Sequence, residues 1–235
     1  MPHVPLPAEQ IILALDLPTA AQALDLVRQL QPRLVRAKVG AALFAEEGAG
    51  FIRALNQLGL RVFLDLKLHD IPSVVESAAR SVSQLGVEFL TVHLSGGEAM
   101  VRAALAGARS GGTTRILGVT VLSSLDARVC EQIGFADPPE AAVLRLARLG
   151  SAAGVDGVVA SAREARALRS TLPKSVLIVT PGIRPAGAPA GDQARTATPS
   201  EAIDAGADML VVGRPVTAAP DPVAAFRSLV EVADK

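Results

Sequence analysis

Eight short apolar runs recur along the chain, at residues 11–16, 34–39, 61–66, 89–94, 116–122, 157–160, 176–180 and 209–212. Their apolar positions are near-continuous rather than alternating, the pattern of parallel strands covered on both faces. Between the runs, apolar residues return at helical intervals: Leu24, Val27 and Leu30, then Ile52, Leu55 and Leu58, then Val75, Val82 and Leu85. Eight such units in 235 residues leave roughly 29 residues each, close to the minimum for a strand, a helix and two connections. The punctuation agrees. Gly59, Gly86, Gly150 and Gly206 each stand shortly before a strand run, where glycine can end a helix in the left-handed conformation. Thr198-Pro199-Ser200-Glu201 and Ser161-Ala162-Arg163-Glu164 read as capping boxes, and Asp221-Pro222 as a further helix start.

This pattern predicts an α/β fold, a (β/α)8 TIM barrel formed as a single domain over residues 1–235. The other arrangement of such units is an open doubly wound sheet. That fold more often carries a G-x-G-x-x-G turn after its first strand, and none follows Asp16. One stretch rich in Gly, Ala and Pro, at about 184–198, follows the seventh strand on the face where barrel enzymes carry their sites; it reads as a flexible lid on the phosphate side.

Composition narrows the class. Half the residues are hydrophobic, but the aromatics are six Phe with no Trp or Tyr, so aliphatic side chains must fill the core. Equal numbers of basic and acidic residues, 23 of each, argue against a nucleic-acid partner, as does the missing stacking platform. Mean hydropathy is positive, but no run approaches the ~20 apolar residues that spanning a membrane requires. The first ten residues resemble no secretory signal, and the lone Cys130 permits no internal disulfide; both point to the cytoplasm.

In a barrel, charged residues at the C-terminal ends of strands read as functional. The first strand ends in Asp16 and the second carries Lys38, while the third holds Asp65 and Lys67, with His69 and Asp70 just beyond. Alternation along a strand aims Asp65 and Lys67 to the same side, inward at the mouth. Asp70 lies near enough in sequence to join them, giving two acids and two lysines with Asp16 alongside. A purely structural ion-pair network is the bland alternative, but so many charges converging at the functional end favour a site. The loops after the seventh and eighth strands offer Arg184 and Gly213-Arg214, a glycine for close backbone approach to a phosphate and forked cationic donors to hold it. Gln193, in the lid segment, could close over such a ligand. His69 and His93 do not have metal-ligand spacing, so no metal is expected; His93 reads as a supporting or core residue. Cys130 has no His near it in sequence and reads as inert. Ser123 and Ser124 lack a nucleophile elbow and suit hydrogen bonding to a ligand.

The string Asp65-Leu66-Lys67-Leu68-His69-Asp70-Ile71-Pro72 resembles the signature of the orotidine 5′-phosphate decarboxylase family. The likeness runs along nearly the whole chain. Residues 12–16, Lys38-Val39-Gly40, Val119-Thr120-Val121-Leu122-Ser123-Ser124, Pro181-Gly182-Ile183-Arg184, Gly191-Asp192-Gln193 and Val212-Gly213-Arg214-Pro215 are similar to successive family segments in order. The resemblance implies a cofactor- and metal-independent decarboxylase converting orotidine 5′-monophosphate to uridine 5′-monophosphate in pyrimidine synthesis. It implies that Lys67 protonates C6 within a tetrad of Lys38, Asp65, Lys67 and Asp70. It also implies a homodimer in which Asp70 reaches into the partner subunit's site, and a substrate contact for its neighbour Ile71. Asp16 and Lys38 would contact the ribose, Ser123 the pyrimidine, and Arg184, Gln193, Gly213 and Arg214 the phosphate. Two departures from the family are visible: Ser123 replaces threonine and keeps a hydroxyl, and Ser73-Val74 replaces a small polar pair. The nearest competing activity is a metal-dependent sugar-phosphate decarboxylase or aldolase of the same superfamily, against which the Lys67–Pro72 and Pro181–Arg184 strings weigh. A nucleotide-binding barrel without turnover is the non-enzymatic alternative.

Overall fold

In a computed structural model, which describes residues 6–184 and 196–230, the apolar runs form strands β1 (Ile11–Ala14), β2 (Arg36–Gly40), β3 (Arg61–Leu68), β4 (Phe89–His93), β5 (Arg115–Val119), β6 (Gly157–Val159), β7 (Leu177–Thr180) and β8 (Met209–Val212). All pair in parallel and in chain order, and β8 returns to β1, so the sheet closes into the expected eight-stranded barrel. The intervening helices are α1 (Ala20–Leu30), α2 (Ala41–Gln57), α3 (Pro72–Ser83), α4 (Gly97–Gly111), α5 (Ala127–Gln132), α6 (Pro139–Ala153), α7 (Ala162–Thr171), α8 (Pro199–Asp204), α9 (Arg214–Thr217) and α10 (Pro222–Val230). Among the described residues no helix is long and apolar enough to cross a membrane.

Alternation divides the apolar residues into two cores. Ile11, Leu13, Val39, Val62, Leu64, Leu90, Ile116, Ile178 and Leu210 face outward and meet the helices. Ile12, Ala14, Phe63, Phe89, Leu117, Val179 and Val211 face inward and fill the barrel. Phe63 and Phe89 meet edge to face, with ring centroids 6.0 Å apart, and account for two of the six aromatic residues. The N-terminal end of the barrel is closed by charge. Arg36, nearly fully buried, grips Glu88 through Nε and Nη2 at 2.7 and 3.0 Å and donates to the Glu9 carbonyl at 2.6 Å. Arg115 adds a 2.6 Å contact to Glu88 and lies over the Phe89 ring. Helices α3 and α4 pack so closely that a Cβ on Gly107 would lie 2.1 Å from the Glu76 carbonyl oxygen.

Helix punctuation is mostly where the glycines place it, since Gly59, Gly86 and Gly206 have positive φ. Gly150 does not end its helix. It lies inside α6, where a Cβ would strike Leu94 at 2.8 Å, and Gly154, at φ 98°, is the left-handed cap. Glycine therefore stands at 150 for close packing, and its sequence neighbourhood cannot distinguish that from a stop. Thr198 forms a complete capping box with Glu201. Ser161 begins α7, but its hydroxyl bonds the Glu164 carboxylate rather than a backbone N–H. Of the expected lid, residues 185–195 lie outside the described residues; its ends meet where Ile183 bridges Ala197.

Substituting Gly107→Ala should force α3 and α4 apart and lower stability by about 1–3 kcal/mol, as overpacked sites do. Urea unfolding checks this, and an unchanged midpoint would show that the helix pair has slack.

Candidate active site

At the C-terminal end of the barrel the inward rows of β1 to β4 present polar side chains. Above Ile12 and Ala14 comes Asp16; above Arg36 comes Lys38; above Phe63 comes Asp65; above Phe89 come Thr91 and His93. The inner apolar layer is the floor of a cavity of 610 Å³, with Ala14, Phe63, Val119, Val159 and Val211 in its lining. Asp16, Lys38, Asp65 and Lys67 line the same cavity, as do Ser123, Arg184, Gly213 and Arg214. These predicted residues, drawn from six loops and strand ends, thus share one chamber.

The charges form a chain. Lys38 Nζ lies 3.1 Å from Asp16 Oδ1 and 3.5 Å from Asp65 Oδ2, and Lys67 Nζ lies 2.8 Å from the same Asp65 oxygen. Gly40 leaves room for it: a Cβ there would sit 3.2 Å from Asp16 Oδ1. Burial pushes the Asp65 carboxyl up, but Lys38 and Lys67, together with hydrogen bonds from Lys67 and Thr91, outweigh it and hold the group below the usual aspartate range. Asp65 is therefore a carboxylate at neutral pH, and the chain alternates in sign from Asp16 to Lys67.

Alternation pairs Asp65 with Lys67, but the strand around them is not regular. β3 slips against β4 between Leu64 and Leu68, and Lys67 has φ 51°, the left-handed region that non-glycine residues rarely occupy. Thr91, absent from the predicted set, bonds both the Asp65 carboxylate and the Lys67 backbone N–H, each at 2.9 Å. Its one sequence signal is a polar residue at an inward position of an apolar strand. Thr217 and Ser161, also unpredicted as ligand-facing, line the cavity.

Asp70 does not join the cluster within its own chain. It is exposed, its Oδ1 accepts the Ile71 N–H at 2.6 Å, and among the described residues no cation lies within salt-bridge distance of it. The reason is the turn after β3, which carries Asp70 outward beyond the rim. Ile71 follows it, 62 % exposed, with Val74 47 % exposed nearby. Gln193 lies outside the described residues. His93 stacks on His69 at 5.4 Å. Burial, the neighbouring His69 and the Lys67 ammonium all lower its pKa, with Asp65 opposing, so the imidazole is neutral at pH 7. Cys130 is buried in α5. Among the described residues no group of three or more His, Cys, Asp or Glu side chains is arranged to hold a metal ion.

The family model described as "Orotidine 5′-phosphate decarboxylase / HUMPS family" matches residues 9–229. The chain belongs to that family. A protein of Anaeromyxobacter sp. (strain K) named orotidine 5′-phosphate decarboxylase is 54% identical over 223 residues, covering 95% of this chain and 97% of that protein. One of the same name from Halorhodospira halophila is 52% identical over 221 residues, covering 94% of each. Among solved structures, orotidine 5′-phosphate decarboxylase from Lactobacillus acidophilus superposes with a TM-score of 0.84 at 37% identity, covering 93% of this chain and 96% of that one.

The depressed pKa gives Asp65 a pH signature. A carboxyl whose folded pKa lies below its unfolded value, about 3.9, contributes stability that is complete above that value and lost as pH falls through the folded one. Asp65→Asn, which leaves Lys38 and Lys67 without their shared anion, should cost about 1–3 kcal/mol at pH 7. The difference from wild type in urea midpoint should shrink below roughly pH 4; a difference that is constant with pH would mean the carboxylate charge is not what stabilises.

Proposed function

We propose that the protein decarboxylates orotidine 5′-phosphate to uridine 5′-phosphate and carbon dioxide in pyrimidine synthesis, without metal or cofactor, with Lys67 delivering the proton to C6. The observation that carries this reading is the Lys67 ammonium, hydrogen-bonded to Asp65 in a chamber that Arg184, Gly213 and Arg214 also line. The family membership and the names of the relatives support the same substrate.

The chemistry follows from the charges. Breaking the bond between C6 and the carboxylate leaves an electron pair on a ring carbon that cannot delocalise it well. A cation fixed at that carbon stabilises the developing charge and then transfers a proton to it, forming the C6–H bond. Lys67 leaves the step neutral and recovers its proton from solvent. Asp65 keeps the ammonium oriented, Lys38 and Asp16 suit the ribose hydroxyls, and Ser123 suits the pyrimidine edge. With no Tyr or Trp in the chain, the ring is held by hydrogen bonds and by the aliphatic wall of Val119, Val121 and Val159. Phosphate held by Arg184, Gly213 and Arg214, with Gln193 as a further ligand, supplies binding energy remote from C6 that can be used to order the reacting end.

Exposed Ile71 and Val74 beside Asp70 support a homodimer in which the rim of one protomer covers that face of the other and brings Asp70 and Ile71 to its partner's substrate. A cytoplasmic location fits an enzyme of nucleotide synthesis with a single, buried cysteine.

Loss of orotidylate absorbance at pH 7 tests the activity. Conversion should proceed undiminished with a chelator present and fall by at least about 10³-fold in Lys67→Ala, the loss of both charge stabilisation and proton donor. Inhibition by chelator would favour the metal-dependent sugar-phosphate chemistry instead, and an active Lys67→Ala would overturn the mechanism. Sharing across the dimer is tested by mixing two inactive variants, Lys67→Ala and Asp70→Ala. Random hybrids carry one intact site in half of the dimers, so activity should return to about one quarter of wild type; no recovery after verified subunit exchange would return Asp70 to its own chain.

A further inference from the structure

Thr91 is fully buried in β4 and does not line the cavity, yet its hydroxyl joins the two residues on which the proposed reaction turns. β3 and β4 run in register through Phe63 with Phe89 and Leu64 with Leu90, and then lose it. The next pairing is Leu68 with Val92, so four steps along β3 match two along β4. The surplus contains Asp65 and Lys67. A backbone N–H in such an interrupted ladder has lost its regular strand partner and needs another. For Lys67 that partner is the Thr91 hydroxyl oxygen, which accepts its N–H at 2.9 Å. Lys67 is also the one non-glycine residue with positive φ among the described residues, a conformation that persists only where surrounding contacts impose it.

The same hydroxyl donates its single proton to Asp65 Oδ1 at 2.9 Å. That leaves Asp65 Oδ2 for the two ammoniums, Lys67 at 2.8 Å and Lys38 at 3.5 Å. Oδ1 and Oδ2 are thus divided between a neutral donor and the cations, which fixes the rotation of the carboxylate. A hydroxyl supplies one donor and acceptor lone pairs on a single atom, and valine of the same shape supplies neither.

We infer that Thr91 is a positioning residue for the decarboxylation: its hydroxyl pins the left-handed backbone of Lys67 and the carboxylate of Asp65 together, so that the Lys67 ammonium is held where C6 will be. This rests on the activity proposed above. Thr91 acts through these two residues and touches no reacting atom.

The test compares Thr91→Val, which keeps the shape, with Thr91→Ser, which keeps the hydroxyl. For Thr91→Val, kcat should fall about 10- to 100-fold, the worth of hydrogen bonds to a charged and a strained group, while KM for orotidylate changes less than about threefold because the phosphate contacts remain. Thr91→Ser should retain kcat within about threefold. Removing a hydrogen bond that favours the Asp65 carboxylate should raise its pKa, so the acid limb of kcat/KM should move to higher pH in Thr91→Val and not in Thr91→Ser. Thr91→Cys, a weak donor and acceptor, should fall between them and carries the comparison if the valine variant does not fold. Wild-type kcat and pH profile in Thr91→Val or Thr91→Cys would overturn the inference, and so would equal losses in the serine and valine variants. A crystal structure of Thr91→Val, or of Thr91→Cys in its place, gives a readout without substrate. The Lys67–Asp65 contact should open or Lys67 leave the left-handed region, and unchanged placement would overturn positioning. A wild-type protein that fails to convert orotidylate would sink the activity, whereas an active wild type with an indifferent Thr91→Val would sink only the role of Thr91.

Discussion

One carboxylate between two ammoniums organises the functional end of this molecule. Asp65 lies within 3.5 Å of both Lys38 and Lys67 inside the mouth of a closed barrel, where two cations could not be held side by side without it. Bringing charge out of water is costly, and a buried pair rarely returns more than that cost. The barrel meets the condition for tolerating it by giving each group a partner: Asp16 for Lys38, and Thr91 for the second oxygen of Asp65. What remains is an ordered row of alternating charge with the Lys67 ammonium at its end, partly open to the chamber.

The same economy shapes the rest of the barrel. Its interior is layered along the axis, with charge at both ends and hydrocarbon between. Arg36 and Glu88 seal the N-terminal end, Phe63, Phe89 and Leu117 fill the middle, and the Asp65 group stands above them. The apolar layer denies water a path to the charges from below, so their mutual attraction is less screened than at a surface. It is also the floor of the cavity, so one set of side chains contributes both to folding and to the surface against which an apolar part of a ligand can rest. Separation of function follows the strand order, with the lysines on β2 and β3 and the arginines in the loops after β7 and β8.

Much of this was legible in the chain because it follows from local periodicity. Strands covered on both faces must be apolar at nearly every position, and the eight runs announce a parallel barrel for that reason. Alternation on β3 paired Asp65 with Lys67, although the real strand reaches that pairing through a register slip and a left-handed lysine that alternation does not contain. Gly150 and Gly154 show the same limit at smaller scale: both are glycines near a helix end, and only the approach of Leu94 tells which one packs and which one turns. Asp70 stands three residues from Lys67, yet the direction of one turn takes it away from the cluster toward the rim.

By itself the sequence determined the class of fold, the strand ends that carry charge and the identity of the groups available for chemistry, because hydrophobic period and residue type are properties of short segments. The tertiary structure alone decided which oxygen of Asp65 faces which lysine, that a threonine on the next strand holds both partners, and that Asp70 is turned outward. Those outcomes depend on the relative register of separate strands and on the path of a turn, and no single segment encodes either.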